Sequence, residues 1–321
     1  MKTNLFSYNS ILFTLIIILI STITIWKLPQ TQNGYTHIGI AVYDMDDTFI
    51  NDYVTKLQNK IDRSSFSGKK VLYEIFDAEG NANRQEHQLQ YMYTQNFDAL
   101  LINLVTPSSA ASVLNETANH DIPVILFNRE ADKKDLSISK QTWYVGTAAK
   151  KAGAIQADML QNVWNIDKVN LDRNKNNKLD YILIEGEQTH FDAVRRTNGF
   201  LESSQNLPLN QLTNLSADWQ RNLSSVKFSK LDTSIIQSAE AIICNNDDMA
   251  LGAWEALEEK GCTEVQVVGI DGIEEVRELV DEDKILGSVL CDTKLHAKAL
   301  MQFIDVLAFH NGSVEKLNLE N

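Results

Sequence analysis

Between Ile184 and Arg196 the chain reads Ile-Glu-Gly-Glu-Gln-Thr-His-Phe-Asp-Ala-Val-Arg-Arg, which brings an imidazole, a carboxylate and a guanidinium into one short stretch. Asp192 and Arg196 stand at i and i+4, on one face of a helix, where they can share a polar ligand with His190 nearby. Other carboxylates and amides follow apolar runs in the same way. Asp47 lies in Tyr43-Asp-Met-Asp-Asp-Thr-Phe49, Asn103 ends an apolar run, Asn246 lies in Asn245-Asn-Asp-Asp248, and Asp271 precedes Gly272. Each of these can cap a following helix. Together they line a cleft with Asp, Asn, His and Arg, to which Phe49, read as an exposed ring, and Trp219, at a helix start, add flat apolar faces. That inventory suits a sugar, because planar polar groups engage vicinal hydroxyls while aromatic rings lie against the C–H faces of a pyranose. The same carboxylates can be read as a glycosidase acid/base pair, but Asp192 beside Arg196 should be held ionised, which suits a general acid poorly. No nucleophile elbow, P-loop or GxGxxG is present.

A second oxygen-rich pattern runs from Asp172 to Asp180, Asp-Arg-Asn-Lys-Asn-Asn-Lys-Leu-Asp. Asp172, Asn174, Asn176 and Asp180 fall at loop positions 1, 3, 5 and 9 of an EF-hand, with the carbonyl of Lys178 at position 7. Asn177 stands where that loop needs a left-handed residue. Position 12 is Leu183, not Glu, so the loop cannot close a site alone, and a polar turn and a calcium loop both remain open.

Strands must carry these groups. Apolar runs predict strands at 37–42, 70–76, 99–103 and 124–127, with helices from about Thr48, Asn81 and Ser108 between them. A helix over 147–164 leads into a second series, strands at 181–185, 209–214, 241–244, 265–270 and 287–290 with helices from about Asp192, Trp219, Asp248, Ile273 and Thr293. The reading is α/β, with two parallel-sheet halves joined by crossover helices.

With 321 residues and 44% hydrophobic content the chain is long enough for two lobes, and a net charge of −14 argues against a nucleic-acid partner. Cys244, Cys262 and Cys291 are widely spaced and form neither a disulfide framework nor a zinc motif. Residues 3–26 carry no charge and are rich in Ile and Leu, long enough to cross the ~30 Å hydrocarbon core at ~1.5 Å per residue. The run passes through Ile23, Ile25 and Trp26 with no small-residue cleavage site and no lipoprotein cysteine, so an uncleaved anchor is favoured over a removed signal. A polar linker, residues 29–35, follows it.

Several segments, in order, resemble those of the periplasmic galactose/glucose-binding proteins: Ile38-Gly-Ile-Ala-Val-Tyr43 with Asp46-Asp-Thr-Phe49, Ile102-Asn-Leu-Val105, Phe127-Asn-Arg-Glu130, Tyr144-Val-Gly-Thr147, Gly186 to Arg196, Asn245 to Gly252, and Gly269-Ile-Asp271. The resemblance covers residues 37–317. It implies the type I solute-binding fold, two Rossmann-like lobes joined by a hinge, here 36–146 completed by about 292–321, and 147–291, after an N-terminal segment 1–35. Carried over residue by residue, Phe49 and Trp219 resemble the rings that sandwich D-galactose or D-glucose. Asp47, Asn103, His190, Asp192, Arg196, Asn246 and Asp271 resemble the polar contacts. Cys291 stands where the family has Asn, and a thiol does not replace an amide's donors and acceptor. The resemblance also supplies Glu240 as the distant bidentate ligand that completes a Ca2+ site with Asp172, Asn174, Asn176, Lys178 and Asp180. The expectation is a sugar-binding protein on the outer face of the plasma membrane, not an enzyme, that reports a monosaccharide to a signalling partner such as a sensor kinase. The alternative is the binding component of an ABC importer, meeting its permease.

Overall fold

Why the chain alternates strands with helices is visible in its burial. Four-residue runs such as Ala-Leu-Leu-Ile and Val-Ile-Leu-Phe are buried on both faces, as strands in the middle of a parallel sheet must be. The computed structural model describes residues 16–19, 35–64 and 70–309. Strands β1 (Ile16–Leu19), β2 (Tyr35–Val42), β3 (Lys70–Asp77), β4 (Ala99–Ile102), β5 (Val124–Phe127) and β6 (Thr142–Thr147) come first. With them come helices α1 (Thr48–Arg63), α2 (Ala82–Thr94), α3 (Ala110–Asn119) and the short α4 (Lys133–Leu136). Helix α5 (Ala149–Leu171) opens the second series: β7 (Leu179–Glu185), α6 (Phe191–Ser203), β8 (Leu209–Ser216), α7 (Arg221–Ser229), α8 (Thr233–Ser238), β9 (Ala241–Cys244), α9 (Asp247–Lys260), β10 (Gln266–Asp271), α10 (Glu274–Asp281), β11 (Gly287–Leu290) and α11 (Thr293–Phe309).

The chain divides into two units. One runs to Ala148 and resumes at Asp292, and the other is Ala149–Cys291. Among the described residues the first unit has a sheet in the order β1-β6-β5-β4-β2-β3, parallel except for β1, and the second a parallel sheet in the order β11-β10-β9-β7-β8. Both sheets reverse direction at their first long strand. Chain leaves β2 for β3 and returns to β4 on the other side, and it leaves β7 for β8 and returns to β9. The carboxyl ends of β2 with β4, and of β7 with β9, are therefore the topological switch points where such sheets take ligands.

Local signals set the helices that matter there. Asp47 caps α1 by accepting from Ile50 N, and Phe49, Ile50, Tyr53, Val54, Leu57 and Ile61 form its buried stripe. Each such side chain contributes roughly 1.5–3 kcal/mol when fully buried. Helices α5 and α6 touch backbone to backbone. A Cβ on Gly153 would stand 1.9 Å from the carbonyl oxygen of Arg196, and one on Gly199 would stand 1.9 Å from that of Lys150. Only glycine at both positions lets α6 lie this close, which presses the main chain of Arg196 against α5.

Four elements differ from the expectation. The strand β6 was not predicted, because Trp143-Tyr-Val145 is too short an apolar run to show a period. The short helices α4 and α8 lie in polar stretches without one. Helix α5 continues past residue 164 to Leu171 with a kink at Asp167. The segment expected to enter the membrane lies outside the described residues except for Ile16–Leu19. Those four residues form a strand paired antiparallel with β6, where a spanning segment would be helical. Among the described residues no helix is long and apolar enough to cross a membrane.

Candidate functional site

In the unit Ala149–Cys291 the residues after β7, β9 and β10 meet. His190 caps α6, its Nδ1 accepting from Asp192 N at 3.1 Å, and lies 3.9 Å from an oxygen of Asp192. Arg196, buried one turn further on, donates to the carbonyl of Asn245 at 2.5 Å and stands 3.5 Å from Asp271 Oδ1. Its Nε has no hydrogen-bond partner. Burial opposes the Arg196 charge, but Asp271, Cys291, Asp192 and Asp247 around it outweigh that and raise its pKa. The site thus keeps one cation amid several carboxylates.

Trp219 lies two residues ahead of α7, and Asp218 and Trp219 both have left-handed backbones, φ 48° and 69°. The Trp219 ring meets His190 edge-on at 5.1 Å, and the Arg196 guanidinium lies 5.6 Å from its centroid. Asn246 caps α9 through Met249 N and gives its amide hydrogen to the carbonyl of Trp219 at 3.1 Å. The cap expected of Asn246 is therefore present, and the other end of the same amide holds the tryptophan.

Residues not singled out complete this edge. Asn245 accepts from Gly186 N and donates to Thr197, tying the turn after β7 to α6. Gln156 of α5 reaches the strand ends from behind, donating to the carbonyls of Cys244 at 2.9 Å, Gly269 at 3.2 Å and Val268 at 3.3 Å. A glutamine within a helix carries no sequence signal for such a role. Burial pushes the Asp247 carboxyl up to about 6 against donors from Ser288, Ile273 and Gly272 and the charge of Arg196.

The other unit brings Asp47 and Asn103 together through Tyr43. Asp47 accepts from the Tyr43 hydroxyl as well as from Ile50 N, and Asn103 accepts from Tyr43 N at 3.3 Å and donates to Phe127 O at 3.1 Å. The Arg129 guanidinium lies 3.6 Å over the Tyr43 ring. Burial, and then the Asp47 charge, raise the Tyr43 pKa, so the hydroxyl stays a donor. Tyr43 and Arg129 lie in segments that carry the family resemblance, though the resemblance gives neither as a ligand contact. Phe49 corrects the expectation of an exposed ring: it is only 6% exposed, because as the second residue of α1 it belongs to the helix's buried stripe, edge-on to Tyr53 and His296.

The oxygen-rich loop adopts the turn its spacing predicts, with Lys175 and Asn177 left-handed at φ 60° and 62°. Glu240 joins it from the residue just before β9, accepting from Arg173 N at 2.7 Å and from Asp180 N at 3.0 Å. Asp180 accepts from the amides of Asn174 at 2.6 Å and Asn176 at 2.8 Å, while the amide oxygen of Asn176 accepts from Lys178 N. Asp172 accepts from Asn177 N through one oxygen, and its other oxygen is buried without a partner. Burial, with the charge of Asp180, raises the Glu240 pKa. Among the described residues no three Asp, Glu, His or Cys side chains are grouped closely enough to hold a metal by themselves. A cation here needs amide and carbonyl oxygens as well. The orphaned Asp172 oxygen and an all-oxygen donor set fit a hard dication.

Polar groups at the switch points of two α/β sheets, with a charged arginine beside a tryptophan at one of them, point to a protein that binds a small polar solute. Comparison agrees. Residues 38–311 match the model of the periplasmic binding protein domain. The D-galactose/methyl-galactoside binding periplasmic protein of Haemophilus influenzae is 31% identical over 283 residues, 87% of this chain and 83% of that protein. The ribose import binding protein of Bacillus subtilis is 26% identical over 96% of this chain and 94% of its own length. In structure, an ABC transporter solute binding protein from Bacillus halodurans with bound myo-inositol superposes with a TM-score of 0.72 at 23% identity, covering 86% of this chain and 91% of that one. The chain belongs to the periplasmic binding protein domain family, as a solute-binding protein and not an enzyme. The glycosidase alternative falls with that.

Proposed function

We propose that this protein binds a hexose, D-galactose or D-glucose, outside the cytoplasm and serves as the sugar-binding component of an ABC importer. The observation that carries the reading is Arg196, buried and charged between Asp192 and Asp271 beside the Trp219 ring at a switch point. A ligand with vicinal hydroxyls and an apolar face uses all of these groups at once. His190 and Asn246 supply further contacts from the same edge, and Asp47 and Asn103 stand at the corresponding switch point of the other unit's own sheet. The galactose-binding name of the Haemophilus relative, and the import role named for the Bacillus one, support hexose and importer. Titration calorimetry with a monosaccharide panel tests this. Heat with galactose or glucose is expected, weakened at least about tenfold in Trp219→Ala. No heat with either hexose, alongside clear binding of a pentose or an amino acid, overturns the assignment.

The uncharged residues 3–26 favour a second reading, a protein held at the outer membrane face that reports sugar to a sensor kinase. Amino-terminal sequencing of the protein recovered from cells separates the two. A start after Trp26, with the protein in the soluble fraction, sinks the tethered receptor.

The proposal includes one calcium ion held by Asp172, Asn174, Asn176, the Lys178 carbonyl, Asp180 and Glu240. Turning each asparagine amide over presents oxygen where its NH2 now faces Asp180, at the cost of the bonds the amide oxygens now accept from Asn176 N and Lys178 N, which the ion's attraction must exceed. The ion would tie the loop before β7 to the start of β9, so its role is structural. Millimolar calcium is expected to raise the melting temperature by several degrees over excess chelator, with a smaller change in sugar affinity. Equal melting temperatures in the two conditions rule the ion out.

A further inference from the structure

Asp247 is a fully buried carboxylate that none of the sugar contacts above includes. It lies in the first turn of α9, where Ser288 Oγ donates to its Oδ1 at 2.6 Å and Ile273 N donates to its Oδ2 at 2.9 Å. The same Ser288 hydroxyl accepts from Gly272 N at 3.0 Å. Both amide links fall on the loop that begins at Asp271, whose φ of 127° lies where residues with side chains rarely sit. Such a backbone persists only where its surroundings over-determine it. The strand beneath leaves room for this arrangement, since a Cβ on Gly269 would stand 2.0 Å from Asp247 Oδ1.

We infer that Asp247 is a positioning residue for the sugar site: through Ile273, and through Ser288 and Gly272, it fixes the strained backbone of Asp271 so that the Asp271 carboxylate faces Arg196. The inference rests on the proposed hexose site. Asp247→Asn changes no volume but removes the charge that draws both donors; with its oxygen kept on Ile273 N its NH2 meets Ser288, whose hydroxyl must then accept instead of donate, so that link is reversed and both become weaker neutral ones.

The test is a double-mutant cycle read by hexose calorimetry, with Asp271→Gly as the second site because glycine removes the carboxylate and accepts the backbone without strain. In an otherwise wild-type chain Asp247→Asn is expected to weaken binding about tenfold or more, and in the Asp271→Gly background by less than about twofold. A role in stability alone would weaken both backgrounds equally, and that result overturns the inference. So does unchanged affinity in Asp247→Asn. If that variant does not fold, Ser288→Ala breaks one link with the carboxylate left in place. The same loss of effect in the Asp271→Gly background is then expected, and unchanged or additive affinity overturns the inference. A wild-type protein that binds no hexose overturns the proposed function, and the inference with it, whereas a binding wild type with an indifferent Asp247→Asn overturns the inference alone.

Discussion

Arg196→Met is expected to abolish hexose binding and to destabilise the protein by about 3–5 kcal/mol. Methionine keeps much of the apolar stem, so the loss isolates the charge. In the native protein the guanidinium serves the Asn245 carbonyl and offsets the negative charge of Asp271, Asp192 and Asp247, all of them buried. Without it these carboxylates face one another away from water, with no cation to offset them, which is the costly half of a buried ion pair. Arg196→Lys is expected to recover part of the stability and little of the affinity, since an ammonium cannot reach two acceptors in a fork. Chemical denaturation and calorimetry on the two variants check this. A stability within about 1 kcal/mol of wild type for Arg196→Met would show that the carboxylates have other compensation.

The second large effect is a dependence of stability on pH that traces to His296. This residue of α11 is buried against Tyr53 at 5.3 Å and Phe49 at 6.2 Å, and neither ring nitrogen has a hydrogen-bond partner. Burial holds its pKa down to about 4, with the charge of Asp292 opposing. The unfolded chain takes up this proton near pH 6.5 and the folded chain only near 4, so the unfolded state binds more protons between those values. Stability is therefore lost as pH falls through that window, by about 3 kcal/mol in all from this group. Asp247 works the other way over part of it: with a folded pKa of about 6 its native state binds more protons than the unfolded chain, which favours the acid side. The measurement that isolates His296 is the stability difference between wild type and His296→Leu, followed from pH 7 to pH 4. It should shift by about 3 kcal/mol in favour of the leucine variant. A difference that does not change with pH refutes the assignment.

The sequence shows the strands that are buried on both faces and little of what braces them. Residues 124–127 match β5, because an unbroken apolar run between turns has few alternative readings, and β2 and β4 differ from expectation only at their ends. Trp143-Tyr-Val145 gives no such signal, and its strand is specified by the neighbouring β5. At the site the residue types were legible and their division of labour was not. Asp47, His190 and Asn246 each cap a helix as well as standing at a switch point, because a short polar side chain at a strand's carboxyl end is also at the next helix's amino end. Phe49 is buried for the same reason: two residues past the cap, it belongs to the helix's buried stripe. The loop at Asp172 was readable from spacing alone, whereas Glu240, far along the chain, joins it only through the pairing of β7 with β9.

The reach of Gln156 has a bearing on motion. Strands β9 and β10 pair as far as Ile243 and Val268, and beyond that point a side-chain amide from α5 engages the carbonyls of Cys244 and Gly269. The rim that carries Asn245, Asn246 and Asp271 is thereby fastened to a helix whose backbone is itself wedged against α6 by Gly153 and Gly199. Local fraying would have to strip buried carbonyls of their donor, so the rim opens only with the undocking of α5, an event near the global end of the unfolding spectrum. Its conformational entropy is largely spent during folding, and an arriving ligand meets groups that have little freedom left to lose.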